Sequence, residues 1–269
     1  MKNERILITG GAGSIGSELA KQLNKENQVF ILDINETELF NLIESEKMNG
    51  VVGDVRDKEV LEEIFARFQP AYVFHCAALK HVTPSAWTPK IYIDTNIGGT
   101  INVLELAKKY GVKMINISTD KVVNPESIMG ATKKVAELAV KNDKEVSVRF
   151  GNVLGSRGSL LEIWNRQMKE GKPLTVTDSR MERYFMEIPD ACELLIEAAE
   201  VGEGGQILIM DMGEPVNILE LAKEIITKKK YGLEPEIIGA RPGEKLSEDL
   251  MTTTEKELAV KKDKFYIIN

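Results

Sequence analysis

The sequence has only two cysteines, Cys76 and Cys192, and two histidines, His75 and His81. Two thiols so far apart make no disulfide framework and suit a reducing compartment. His75, Cys76 and His81 lie close together but match no zinc-ligand spacing and have no second cluster to complete a site, so they read as structural and no metal is expected. No apolar run approaches the ~18–20 residues needed to span a bilayer. The first strand-like stretch begins at Arg5, leaving no room for a signal peptide, so a cytoplasmic protein with no membrane partner is expected. Positive charge is not in excess either: 35 Lys and Arg against 42 Asp and Glu give a net charge of −7. That is the opposite of the basic footprint needed to bind a phosphate backbone, which excludes nucleic acid as an expected partner. No internal repeat or low-complexity segment is visible.

What is present is an ordinary globular balance, 43% apolar and 29% charged residues over 269 positions. At ~150 residues per domain this is one large domain or a domain with a smaller lobe. Short β-branched runs alternate with amphipathic stretches in the first half, the pattern of repeated βαβ units. Strands are predicted at Arg5–Thr9, Gln28–Asp33, Gly50–Gly53, Tyr72–Cys76, Lys113–Ile117 and Val146–Phe150. Helices are predicted at Ser14–Asn24, Glu36–Glu44, Lys58–Phe68, Ile97–Tyr110 and Ile128–Lys141. Continuous apolar runs such as Ile6–Ile8 must be buried on both faces, so the fold class is α/β, a doubly wound parallel-sheet Rossmann domain over residues 1–150. After Phe150 the pattern loosens. Residues 151–269 are expected to form a small C-terminal lobe on the carboxyl edge of the sheet, with some segments returning to the sheet. The Lys228–Lys230 run reads as a solvated helix end.

Strand, turn and helix meet at Gly10-Gly11-Ala12-Gly13-Ser14-Ile15-Gly16. Gly10 permits the tight turn, Gly13 lets backbone amides approach a pyrophosphate, and Gly16 allows close helix–strand packing. The helix start, Ser14 and Ile15, offers N–H groups to the anion. Asp33 ends the second strand at the position expected for an acid on the adenosine ribose. No Arg or Lys follows through Ile34-Asn35-Glu36, which favours NAD over NADP. Asp54, with Val55 beside it, ends the third strand, where it can contact adenine or serve as a turn or cap residue.

The densest chemical sequence is Ser118-Thr119-Asp120-Lys121 at the end of the fifth strand, followed by Met129 and Lys133, four apart and so on one helix face. A short-chain dehydrogenase would carry Tyr where Met129 stands. A thioether cannot transfer a proton, so simple alcohol oxidation through a tyrosinate is disfavoured.

The glycine turn, His75-Cys76-Ala77-Ala78-Leu79-Lys80-His81-Val82, the Ser118–Lys133 block, Arg149-Phe150-Gly151-Asn152, Arg183-Tyr184-Phe185-Met186 and Arg241-Pro242-Gly243-Glu244-Lys245 together resemble the nucleotide-sugar 4,6-dehydratases of the extended short-chain dehydrogenase/reductase superfamily. The likeness covers most of the chain and is nearest to UDP-N-acetylglucosamine 4,6-dehydratases of polysaccharide biosynthesis, in which Met commonly replaces the tyrosine. Against the larger members, the chain is expected to be without their membrane-spanning N-terminal region and to be short at the C-terminus.

The resemblance implies NAD as cofactor, a UDP-hexosamine such as UDP-N-acetylglucosamine as substrate, and a redox-neutral loss of water. C4 of the sugar is oxidised, water is eliminated across C5 and C6, and hydride returns to C6. By resemblance Asp120 is the general acid for water loss and Lys121 the general base at C5, which requires Lys121 to be partly neutral. Thr119 would polarise O4, and Lys133 would hold the nicotinamide ribose. The O4 proton would leave through Asp120, Lys133 or a water. Ala77 and Ala78 are placed near the cofactor, and Asn96 would bridge backbone carbonyls and a water there, with an N-cap role as its alternative. Lys80 is placed at the site mouth. Arg183 and Arg241 are candidates for the diphosphate and Asn152 and Arg149 for sugar or uridine, while Glu244 would bind a ribose hydroxyl. Either arginine can instead be a structural ion-pair partner. Pairing of chains through the helices at Ile97–Tyr110 and Ile128–Lys141 would make a homo-oligomer. A UDP-sugar 4- or 5-epimerase and a non-catalytic NAD-binding sensor are the alternatives.

Overall fold

The structure, a computed structural model, describes residues 1–143 and 145–269. Nine strands form the central sheet: β1 (Arg5–Thr9), β2 (Gln28–Asp33), β3 (Asn49–Val52), β4 (Tyr72–His75), β5 (Lys113–Ile117), β6 (Val146–Arg149), β7 (Ile207–Met210), β8 (Val260–Lys262) and β9 (Phe265–Ile268). Their order across the sheet is β8-β9-β7-β6-β5-β4-β1-β2-β3. β1 to β7 run parallel, and β9 lies antiparallel to both β7 and β8. The chain reverses its direction of travel between β1 and β4, and open α/β sheets bind ligands outside the strand ends at such a switch.

Eight helices carry the packing: α1 (Ser14–Leu23), α2 (Glu36–Glu46), α3 (Lys58–Phe68), α4 (Thr100–Tyr110), α5 (Ile128–Asn142), α6 (Leu160–Lys169), α7 (Ile188–Val201) and α8 (Ile218–Lys229). Alternation along β1 explains both layers. Ile6 and Ile8 point to one face, with Leu19 and Leu23 of α1 and Cys192, Leu195 and Ala198 of α7. Leu7 points to the other face, with Leu61 and Phe65 of α3 and Val103, Leu104 and Ala107 of α4. All three β1 residues are fully buried, so each strand needs helices on both sides.

The second half of the chain is not one contiguous lobe. Ile188–Val201 packs on the sheet as α7, and β7, β8 and β9 extend it. Between them a separate core forms from Trp164 of α6, Leu174, Val176, Met181 and Ile218, Ala222 and Ile226 of α8. The helix expected at Ile97–Tyr110 begins as α at Thr100, and the preceding Ile93–Gly99 is a π-helical turn. Lys228 pairs with Glu224 and Lys229 with Asn165 at the end of α8, where cations offset the helix dipole. Among the described residues no helix is long and apolar enough to cross a membrane.

Candidate active site

A cleft of about 950 Å³ opens along the carboxyl ends of β1, β4, β5 and β6, between the sheet and the smaller core. One end is the glycine turn. Gly10 has φ +66, and a Cβ there would lie 2.6 Å from the Cα and N of Ala77, so the turn and the loop after β4 touch backbone to backbone. A Cβ at Gly16 would lie 2.3 Å from the Gly10 oxygen, which only glycine avoids. Helix α1 starts without a side-chain cap, whereas Asn35, Asp57 and Ser127 cap α2, α3 and α5. The first N–H groups of α1, at Ser14, Ile15 and Gly16, line the cleft and are left for a ligand anion. Asp33 is buried and fixed by the N–H groups of Ala12 (2.9 Å) and Asn35 (2.8 Å). This cradle fits the pyrophosphate and ribose of a dinucleotide.

The middle of the cleft is a short turn of 3₁₀ helix, Asp120–Val122, directly after β5. Asp120 is 0% exposed, and its N–H donates to the Phe150 carbonyl (3.0 Å), fastening the turn to the end of β6. Its Oδ1 accepts from the Thr119 hydroxyl (2.9 Å) and from Lys121 Nζ (2.8 Å); its Oδ2, buried, has no protein partner. Lys121, with its side chain 20% exposed, lines the cleft and also donates to Asn152 Oδ1 (3.1 Å). The amine thus faces the cleft, while the carboxylate it binds does not line the cleft and lies buried behind it. Met129 and Lys133 line it from α5, both almost wholly buried.

Lys133 donates to the Ile117 carbonyl (2.6 Å), and burial lowers its pKa from 10.5 to about 8, against the opposing pull of Glu137 and Cys76. The unfolded chain therefore binds more protons than the folded one between pH 8 and 10.5, and folding stability gained from Lys133 rises across that window. The stability difference between wild type and Lys133→Met is expected to stay flat below pH 8 and to move in favour of the wild type from about 8 to 10.5, read from urea midpoints. A difference independent of pH would contradict it.

His75 is engaged on both ring nitrogens. The Thr100 hydroxyl donates to the Asn96 carbonyl (2.7 Å), so at Thr100 it is His75 Nε2 that donates (2.9 Å), while Nδ1 accepts from Thr9 (2.8 Å). Burial, with the Lys133 charge adding, pushes this imidazole down to about 3. His81 lies elsewhere, against Gly158. Among the described residues no three His, Cys, Asp or Glu side chains converge on one point.

Several residues placed at the site by sequence stand elsewhere or are otherwise engaged. Asn96 is not an N-cap and does not line the cleft. It sits within the π-helical turn, accepting from the Leu79 N–H (2.8 Å) and donating to the Leu79 carbonyl (3.0 Å) and Thr132 (3.1 Å), which ties the loop after β4 to α5. Asp54 is held by Arg56, whose Nε donates at 2.8 Å and lowers its pKa, so it acts as a turn residue. Val55 is buried under Gly99. Arg149 reaches neither sugar nor uridine: it is fully buried, bonded to Glu137 (2.7 Å), Glu255 (3.0 Å) and the Leu250 carbonyl (2.8 Å). A charge on a central strand with no exit to the cleft is retained only because those carboxylates satisfy it.

Ala78, Lys80, Asn152, Arg183, Arg241 and Glu244 do line the cleft, while Ala77 lies behind it against Gly10. Lys80 donates to the Arg157 carbonyl (2.8 Å). Arg183 is largely engaged, donating to the carbonyls of Glu182 (2.6 Å), Leu246 (3.1 Å) and Lys245 (2.8 Å), so it mainly holds the Arg241–Lys245 segment in place. Arg241 is exposed, and its N–H donates to Glu244 Oε2 (3.2 Å). The α6 start, Ser159 and Leu160, also lines the cleft without a side-chain cap. Two wall residues had no warning in the sequence: Arg157, which donates to the Ala12 carbonyl across the glycine turn, and Glu248, buried beside Lys121. Neither lies on a periodic element, so no spacing pointed to them.

Sheet order, glycine turn and the strand-end chemistry define a Rossmann-type α/β protein of the extended short-chain dehydrogenase/reductase fold. The chain belongs to the polysaccharide biosynthesis protein family, whose model matches residues 6–269. It is 42% identical over 95% of its length to the capsular polysaccharide biosynthesis protein CapD of Staphylococcus aureus, of which it covers 46%. It thus spans about half the length of the first curated relatives it matches. It is also 34% identical over 99% of its length to an inverting UDP-N-acetylglucosamine 4,6-dehydratase of Campylobacter jejuni, covering 83% of that protein. Among solved structures, the Thermus thermophilus UDP-glucose 4-epimerase in complex with NAD superposes with a TM-score of 0.81 at 27% identity, over 91% of this chain and 89% of that one.

Proposed function

We propose that this chain is an NAD-dependent UDP-N-acetylglucosamine 4,6-dehydratase, a lyase that returns its cofactor unchanged. The observation that carries the reading is the Asp120–Lys121 pair, an acid and a base joined at 2.8 Å, with Lys121 on the cleft wall and Asp120 buried directly behind it, and with Met129 rather than a tyrosine on the helix that carries Lys133. NAD is the cofactor that the glycine cradle and the Asp33 carboxylate fit, and when bound it supplies oxidation at C4 and reduction at C6. Thr119 and Lys133 would polarise the O4 hydroxyl. Lys121 would take the proton from C5 and Asp120 would give one to the departing C6 oxygen. Residues 151–187 and 211–259 would hold the sugar nucleotide, with the exposed Arg241 guanidinium and the uncapped α6 start facing its diphosphate and Asn152 its sugar.

A 4-epimerase shares the transient ketone but has no use for an acid at O6, so the Asp120–Lys121 pair favours elimination. Incubation with NAD and UDP-N-acetylglucosamine, followed by mass spectrometry and NMR in deuterated water, is expected to give a product lighter by one water. An isobaric product would make the chain an epimerase, and thermal stabilisation by NAD with no turnover of any UDP-hexosamine would make it a sensor. Pairing of two chains through α4 and α5 is also expected, since Val135 and Leu138 stay exposed on α5; a monomer in sedimentation velocity would remove that expectation.

A further inference from the structure

We propose that Glu248 is a positioning residue of this centre, whose carboxyl, set between Lys121 and Lys245, governs where the proton shared by Asp120 and Lys121 resides. The proposal rests on the reading that this pair performs the acid and base steps of elimination.

Glu248 comes from the irregular segment after Lys245, far from Lys121 in sequence, yet its side chain is 5% exposed and lines the cleft. Its Oε1 lies 4.0 Å from Lys121 Nζ and its Oε2 3.8 Å from Lys245 Nζ. Both distances exceed a hydrogen bond, and Oε2 has no protein partner. The carboxyl therefore acts on the lysines through its charge. Lys245 is itself fixed, donating to the Val123 carbonyl (2.6 Å) just past the Asp120–Val122 turn. The charged groups facing Glu248 are Lys121, Asp120, Arg183 and Lys245. Burial raises its pKa and Asp120 adds to the rise, while the three cations oppose it.

The chemistry gives this placement a purpose. Shifting the shared proton from Lys121 Nζ to Asp120 Oδ1 yields a neutral amine beside a carboxylic acid, which is the state elimination requires. The amine then takes the C5 proton. The C5–H electrons form the C5–C6 double bond as the C6–O bond breaks, and Asp120 delivers its proton to the departing oxygen, making water. The pair ends as ammonium and carboxylate, so protons and charge balance. A negative Glu248 draws the shared proton towards Lys121, and an uncharged one releases it towards Asp120.

The test compares wild type, Glu248→Gln, which removes the charge at constant size, and Glu248→Asp, which keeps it. The Lys121 titration is followed by NMR of lysine labelled at the ε-carbon, assigned by its loss in Lys121→Arg, with no substrate present. The midpoint is expected to fall by about half a pH unit or more in Glu248→Gln and to stay near wild type in Glu248→Asp. An unchanged midpoint in Glu248→Gln, or an equal fall in both variants, would overturn the proposal. With UDP-N-acetylglucosamine, both limbs of the pH–kcat profile of Glu248→Gln are expected to move to lower pH at unchanged KM. Were the wild type to release no water from that substrate, the dehydratase reading would fail while the titration still decided the role of Glu248.

Discussion

Lys121→Ala is expected to lower dehydration by roughly 10²–10⁴-fold, the range typical of a positioned general base, while cofactor affinity stays within a few-fold of wild type. The contacts of Lys121 are to Asp120, Asn152 and Glu248, and none is to the glycine turn or Asp33. Its loss should therefore appear in kcat and leave calorimetric binding of NAD intact. The variant also takes from the buried Asp120 one of its two hydrogen-bond donors, leaving Thr119. A urea midpoint measured alongside separates a chemical loss from a folding loss. Dehydration at the wild-type rate would remove Lys121 from the mechanism.

Arg149→Ala is expected to cost about 3–5 kcal/mol of stability, the usual consequence of stripping a buried charge of its partner. Glu137 is fully buried and accepts from Arg149 through both carboxylate oxygens, at 2.7 and 3.2 Å. Ser118 donates to the same carboxylate (2.6 Å) and Lys134 lies 3.3 Å away, but neither replaces a bidentate guanidinium. Burial works against the Arg149 cation, and Glu137 with Glu255 more than offset it, holding the group above its usual range. Burial likewise opposes the Glu255 carboxylate, yet Arg149 holds it down at about 2. Stability from that pair is present above pH 4.5 and is lost as pH falls through about 2. The prediction is read as a drop in urea midpoint at unchanged slope. A loss under about 1 kcal/mol would mean that water enters and solvates Glu137. Replacing Arg149 and Glu137 together by apolar residues of similar volume should cost less than Arg149→Ala.

The same network bears on the site. Arg149 also binds the Leu250 carbonyl and Glu255, and so pins the segment that carries Lys245 and Glu248 against the sheet. Arg149→Ala is thus expected to loosen the wall beside Lys121 as well as the core.

Hydrophobic periodicity made the first six strands and five helices legible to within a few residues, because each buries a face of regular spacing. It could not show the π-helical turn at Ile93–Gly99, which keeps helical spacing while adding one residue to the ladder. In the second half, Ile207–Met210 is a short apolar run whose neighbour β9 arrives antiparallel from a distant stretch, and local pattern carries no pairing information. At the site, the glycine turn and Ser118–Lys133 were legible because the chemistry is concentrated in contiguous residues. Arg149 was misplaced because a polar residue next to a motif reads as a ligand contact until its bonding partners are known, and its partners, Glu137 and Glu255, are set by tertiary folding.

The Thr9–His75–Thr100 chain of hydrogen bonds has one more consequence. An imidazole next to a binding cleft would ordinarily switch its charge near neutrality and carry the local field with it. Here the ring is locked as a silent dipole from about pH 3 upward, so it adds no change of its own to the electrostatic potential at that end of β4 on mild acidification, and only strong acid can force a proton between the two hydroxyls that flank it.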